Sequence, residues 1–289
     1  MKKKLIAAAV MATLAVSTAS VFAAAPAFSG DAKIEWNNQT SGGTDNYLIN
    51  RVRLNMDASI DDTFSLHSRA VMLNDLKNGN GSNGVTFDQA YLGAKFSNVD
   101  IKAGKQSLYS GQGLLMDDDN FSGVQAGTTL ENVKLSGFYG HDNDANKITL
   151  AEMATSFGKV NVGANYLKQD DAKYWGVNAS TPITNNAAFN IEYVKNTDTS
   201  ATGYLAEVKV GNAVKKGDID YSLIYRDIDA GAINNHTTNY NYSDSKGFKV
   251  KADYKVSDNA KLAVYHDMGK NHTTDVDQNR TNVEFSVNF

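Results

Sequence analysis

An all-β transmembrane antiparallel barrel of about sixteen strands is the fold this sequence predicts, and three observations predict it. Segments of about ten residues alternate polar and apolar side chains along most of the chain. Pro26 and Pro182 are the only prolines among 289 residues, as uninterrupted ladders demand, because proline removes a ladder donor. The links between segments alternate between tight turns and longer loops, so that short turns gather at one rim of the barrel and long loops at the other.

The chain starts with Met1, Lys2, Lys3 and Lys4, followed by an apolar run from Leu5 to Val16. That is the layout of a secretory signal peptide, and the run is too short to span a bilayer. Val21-Phe22-Ala23 supplies a small-residue cleavage site, so residues 1–23 are expected to be the signal and 24–289 the barrel. Elsewhere nothing approaches the roughly 20 consecutive apolar residues of a membrane helix. Cysteine is absent, so export serves neither a disulfide scaffold nor a lipid anchor. Without the three signal lysines, 25 basic side chains face 32 acidic ones, a net charge of −7. Nucleic acid is therefore not an expected partner.

The expected strands cover 31–39, 45–59, 63–73, 86–96, 99–106, 123–129, 133–141, 147–156, 160–169, 173–182, 187–196, 202–212, 217–228, 247–257, 260–270 and 281–289. In the second, Val52, Leu54 and Met56 oppose Arg51, Arg53, Asn55 and Asp57; in the third, Phe64, Leu66, Ala70 and Met72 oppose Ser65, His67 and Arg69. Farther on, Val160, Val162, Ala164 and Tyr166 oppose Asn161, Gly163 and Asn165, and Phe189, Ile191 and Tyr193 oppose Asn190 and Glu192. Phe248, Val250, Ala252 and Tyr254 oppose Lys249, Lys251 and Asp253, and the last segment splits Val283, Phe285, Val287 and Phe289 from Glu284, Ser286 and Asn288. Repetition of this split is the lipid-outside, water-inside signature of a barrel.

Asp61-Asp62, Ser97-Asn98, Glu131-Asn132, Gly158-Lys159, Asn185-Asn186 and Asp258-Asn259 mark tight turns, on the side expected to be periplasmic. The longer links are 40–44, 74–85, 107–122, 229–246 and 271–280. Tyr47, Phe96, Tyr166, Tyr254, Phe285 and Phe289 end apolar runs, where an interfacial aromatic belt would put them. Ordinary β-propensity is the alternative.

Two stretches carry a family resemblance. The terminal Val283-Glu284-Phe285-Ser286-Val287-Asn288-Phe289 and the segment Val99-Asp100-Ile101-Lys102-Ala103-Gly104-Lys105-Gln106 resemble the last and the fifth strands of the bacterial general porins, trimeric sixteen-stranded outer-membrane channels. Lys105 stands where the family typically has an arginine. The resemblance covers essentially all of 24–289 in architecture. It implies an outer-membrane location among lipids, a homotrimer, and Phe289 as a signal read by the barrel-assembly machinery. It also implies that residues 107–122 fold inward as a constriction, with Asp117, Asp118 and Asp119 on its acidic side, although the family's usual acidic loop motif is not visible.

Arg51, Arg53 and Arg69 share the polar parity of their strands, and a guanidinium facing lipid would cost roughly 2–4 kcal/mol, so they are expected to point inward, opposite the aspartates. Acidic and basic groups on facing walls set up a transverse field in a narrow water column. Lys102 and Lys105 complete the basic set; Lys105 shares the parity of Ile101 and Ala103 and reaches the lumen only through a bulge. The alternatives are that the arginines are solvated lumen charges and the aspartates an exposed loop tip.

The expected function is passive diffusion of ions and small hydrophilic solutes through a water-filled channel, with slight cation preference from the acidic excess. The alternatives are a substrate-specific channel for sugars or organic acids, and a surface barrel acting as an adhesin through 229–246. An enzyme is not expected: there is no Gly-x-Ser-x-Gly elbow, and His67, His141, His236, His266 and His272 are scattered without zinc spacing. No cofactor or metal is implied. His266, in register with lipid-facing Leu262 and Val264, is expected at the rim of its strand.

Overall fold

The computed structural model describes residues 25–40, 44–79 and 84–289. The expected signal peptide lies outside the described residues. Sixteen strands follow one another: β1 (Ala27–Thr40), β2 (Thr44–Ser59), β3 (Phe64–Asp75), β4 (Thr86–Phe96), β5 (Val99–Ser110), β6 (Met116–Leu130), β7 (Val133–His141), β8 (Lys147–Phe157), β9 (Val160–Gln169), β10 (Ala172–Thr184), β11 (Ala187–Asn196), β12 (Thr202–Gly211), β13 (Ile219–Ile228), β14 (Ser245–Ser257), β15 (Ala260–Asn271) and β16 (Asp277–Asn288). One short 3-10 turn, Tyr240–Tyr242, lies between β13 and β14.

Every strand pairs antiparallel with its sequence neighbours, and β1 pairs with β16, so the sheet closes without an edge. Closure is what lets a sheet cross a bilayer, since every ladder N–H and C=O then has a partner. The seam is in register through Ile34 opposite Phe285 and Trp36 opposite Val283. Gly30 and Phe289 exchange both backbone hydrogen bonds, at 2.8 and 3.0 Å, beside it. A Cβ on Gly30 would meet the Phe289 ring at 2.6 Å, so glycine is what lets the terminal ring lie flat on the strand.

Cross-strand partners share a face, and the register separates two surfaces. Val250, Val264, Val283, Trp36 and Leu48 fall on one face, and large apolar side chains of this set are exposed. Asp253, Glu284, Glu35, Arg53 and Arg69 share the opposite face, which is the lumen. Tyr47 departs from the expected belt: it has the parity of Arg51 and Arg53, and inside the barrel its hydroxyl donates to Glu35 at 2.8 Å. His266 departs from the expected rim as well. It is mid-strand on the outer wall, hydrogen-bonded at 2.8 Å to the Thr281 hydroxyl, its cross-strand partner.

Register shifts mark Arg69/Ala70 against β4, Gln106/Leu108 against β6, Pro182/Thr184 against β11 and Lys255/Ser257 against β15. The shift beside Pro182 is where a residue without an N–H belongs. Most strand ends fall within two residues of expectation. The exceptions are β1 and β16, which start earlier, and above all β5 and β6, which run on until only Gly111–Leu115 separates them.

Candidate functional site

The β5–β6 hairpin does not continue the wall. Its tip crosses the lumen and lands on β9 and β11. Glu192, on the inward parity of β11, accepts hydrogen bonds from the backbone N–H groups of Gln112 at 2.9 Å and Leu114 at 2.8 Å. Asn165 of β9 donates to the Ser110 hydroxyl at 2.6 Å. Gly111 has φ +63°, and a Cβ there would lie 2.0 Å from Oε1 of Glu192, so no other residue fits between the tip and its anchor.

Apolar packing completes the landing. Leu114, Leu115 and Met116 are fully buried in a cluster with Phe121, Phe138, Ile148, Leu150, Leu167, Val194 and Leu205. The last six have inward parity on β7 to β12. The inner wall is therefore not wettable all round: from β7 to β12 it is greasy where the tip covers it. These inward apolar residues break the alternation and are the sequence signal for an internal lining.

A second segment enters the barrel, the link 229–244 between β13 and β14. Its Asn234 donates to the carbonyl of Leu115 at 2.6 Å, and Thr237 and Asn239 donate to the carbonyl of Gly113 at 2.5 and 3.1 Å. Asp117 N–H donates to the carbonyl of His236 at 2.8 Å. Ile233 and Tyr242 are buried in the apolar cluster beside the hairpin. The adhesin alternative needed this Asn-, Thr- and Tyr-rich stretch at the surface; its polar groups instead satisfy the carbonyls of the hairpin tip, which a buried turn must have.

Within this assembly the three aspartates take different partners. Asp117 accepts from the Thr238 hydroxyl at 2.9 Å. Asp118 lies 2.9 Å from Nδ1 of His236, whose Nε2 is 2.8 Å from Asp142. Burial opposes the imidazolium, but the hydrogen bonds and charges of Asp118 and Asp142 outweigh it and raise the His236 pKa above its ordinary value. Burial would likewise raise Asp142, yet hydrogen bonds from Asn146, His236 and the backbone hold it below the usual carboxylate range. Asp119 pairs with Arg69 at 2.8 Å.

Of the arginines, only Arg69 meets an aspartate of the run, and it also donates a two-pronged pair of hydrogen bonds to Asp88, at 2.8 and 2.7 Å. Asp88 is the extra residue at the β3–β4 register shift, which is how it reaches the same guanidinium. Arg53 and Arg51 face inward but bind Asp31, at 2.7 and 3.4 Å. Lys102 is inward, 5.2 Å from the centre of the Tyr91 ring. Lys105 is not brought to the lumen: it pairs with Ala90 and Ser122 on the outer face, and its Nζ donates to the Phe87 carbonyl at 3.0 Å. The bulge that it needs falls one residue later, between Gln106 and Leu108.

The inner wall that the hairpin leaves free, from β13 through β16 and on to β4, carries a charged side chain on every strand. Lys33 bridges Glu35 and Glu284 at 2.5 and 2.9 Å, Lys251 pairs with Asp253 at 2.8 Å, and Arg226 is ion-paired with Asp267 beneath Tyr242 of the second inward segment. The site is thus an obstructed barrel: an apolar side filled by the chain's own hairpin and a charged side left facing it.

Comparison with known proteins agrees with this architecture. An engineered porin from Rhodopseudomonas blastica carrying three substitutions superposes with a TM-score of 0.67 at 11% identity, covering 91% of this chain and 100% of its own. A two-substitution variant of it gives 0.65 at 12% identity over the same shares. No curated protein matches the chain. The profile of the Gram-negative porins matches residues 7–289. On that match, and with a closed sheet of sixteen strands narrowed from within, the chain belongs to the Gram-negative porin family of outer-membrane channels.

Proposed function

We propose that the protein is a general diffusion channel whose water path runs along the charged wall of β13 to β16 and β1 to β4, beside the internal hairpin. One observation carries this reading: the hairpin tip is bonded to Glu192 on the far wall and buries its leucines against β7 to β12, which leaves the wall of ion pairs uncovered. Small polar solutes pass such a surface because fixed charges and their water replace part of the hydration shell. The constriction is set by Asp119 with Arg69, and by Asp117 and Asp118 where they hold the second inward segment.

Arg51 and Arg53 with Asp31, and Lys102, line the path without closing it. Much of the acidic excess sits in turns and loops, at Asp61, Asp62, Asp144, Asp170, Asp171, Asp198, Asp229 and Asp275 among others, while the lumen charges are largely paired. Selectivity is therefore weak, with a slight preference for cations. We further assign residues 1–23 to export, Phe289 to recognition by the assembly machinery, the homotrimer as the working form, and no catalytic role.

Liposome swelling with graded sugars, together with reversal potentials in a salt gradient, tests the reading. Uptake that falls smoothly with solute size and a small cation-directed potential are expected. Absence of uptake, or a strong anion preference, contradicts it.

A further inference from the structure

A recess of about 370 Å³ opens in the charged wall between the inward segment 229–244 and strands β13 to β16, lined by Arg226, Tyr242, Lys249, Tyr265, Arg280 and Glu284 among others. Its size falls at the small end of sites that hold small molecules, roughly 300–1,000 Å³. We infer that this recess is a binding subsite for small organic monocarboxylates, held by Lys249 and Arg280 against the ring of Tyr265. The inference rests on the channel reading only for how the ligand arrives.

The charges decide the sign of the ligand. Among the described residues Asp267 is the one carboxylate within ion-pair distance of Lys249, and it is already engaged: Arg226 is ion-paired to it, and the Tyr242 hydroxyl donates to its other oxygen at 2.5 Å. Arg226 is further fixed by Asn239 at 3.0 Å and by stacking on Tyr242, 3.6 Å from the ring centre. Lys249 lies 3.8 Å from the same carboxylate, beyond hydrogen-bond length, and has no other ion pair among the described residues. Arg280 spends its Nε on the Asn37 side-chain oxygen at 2.5 Å and one NH2 donor on the Tyr47 hydroxyl at 3.0 Å, both neutral partners. Among the described residues no carboxylate lies within ion-pair distance of it, so three of its five donors remain for a ligand.

Arg280, with no carboxylate in ion-pair distance among the described residues, and Lys249, which shares Asp267 with Arg226, therefore flank one aromatic ring. Lys249 is 4.1 Å and Arg280 5.7 Å from the centre of Tyr265. Their mutual repulsion in a partly enclosed site is relieved by an anion placed between them, and a carboxylate matches the planar guanidinium fork.

The same wall limits the ligand's charge and favours a flat body. Glu35 and Glu284 border the recess and share a single lysine, Lys33, so a second negative charge on the ligand would face net acid. The ring of Tyr265 borders the recess and offers stacking surface to an unsaturated or aromatic body. A singly charged, flat carboxylate meets all three conditions.

Equilibrium dialysis of the detergent-solubilised full chain with radiolabelled benzoate, and with benzamide as its uncharged counterpart, reads binding directly. Benzoate is expected to bind saturably and benzamide not. Lys249→Gln and Arg280→Gln, made separately so that misfolding of one does not decide the result, are each expected to weaken benzoate binding by about tenfold or more, a loss of about 1.4 kcal/mol. Lys134→Gln, at a lysine of β7 that shares the inward parity of Phe138 and does not line the recess, is expected to leave it intact. Equal binding of benzamide, no saturable benzoate binding, or unchanged affinity in both recess variants overturns the inference. Conductance of the same preparations in planar bilayers is measured alongside: a channel that conducts without binding benzoate refutes the subsite alone, and one that binds benzoate without conducting refutes the channel alone.

Discussion

Two residues decide whether the barrel is obstructed. Glu192 is fully buried and accepts from two backbone donors of the hairpin tip, and Gly111 leaves just enough room for it. Glu192→Ala strands those buried N–H groups, at about 1–3 kcal/mol each. Gly111→Ala adds a left-handed alanine, about 1–2 kcal/mol, to a direct clash with the anchor. Both variants are expected to keep the barrel but free the tip, seen as larger and noisier single-channel currents; currents as quiet as the parent's would show that the anchor does not hold the hairpin. Glu192 was legible only as a polar residue of inward parity, because its partners lie some 80 positions away in sequence, across the lumen.

At the scale of elements, the strands were legible from alternation; the inward turn of 107–122 was expected only through the family resemblance, and that of 229–244 was not expected at all. A period of two plus punctuating turns is a local signal, so β4, β7, β9 and β11 fall where alternation puts them. The run Leu114-Leu115-Met116 has no alternation and looks like a long link; it is apolar because it packs against the inner faces of distant strands. The segment 229–244 carries no period at all, and its burial follows from hydrogen bonds to that same tip. Its hold is pH-sensitive through His236. A pKa raised in the folded state stabilises fully below the unfolded value of about 6.5 and is lost as pH rises through the raised one. Hydrogen exchange of 229–244, corrected for intrinsic rates, should therefore speed up as pH rises above about 6.5, and His236→Asn should flatten that dependence. An unchanged pH profile in the variant would remove His236 from this role.

For the whole molecule, closure and facing follow from one constraint: every backbone group must be bonded within the sheet, and each strand then offers one side to lipid and one to the interior. The sequence carried that division almost everywhere, including the inward arginines. What it misplaced were single residues whose neighbours matter more than their parity pattern, such as Lys105, one residue short of the bulge, and Tyr47, given to the belt despite its inward parity. Because the chain has no cysteine, facing can be read by single substitutions at adjacent positions, Val250→Cys and Lys251→Cys, in protein reconstituted into liposomes. A small, charged, membrane-impermeant thiol reagent is expected to label Lys251→Cys quickly and spare Val250→Cys; rapid labelling at position 250 with protection at 251 would contradict a water-filled interior and everything built on it.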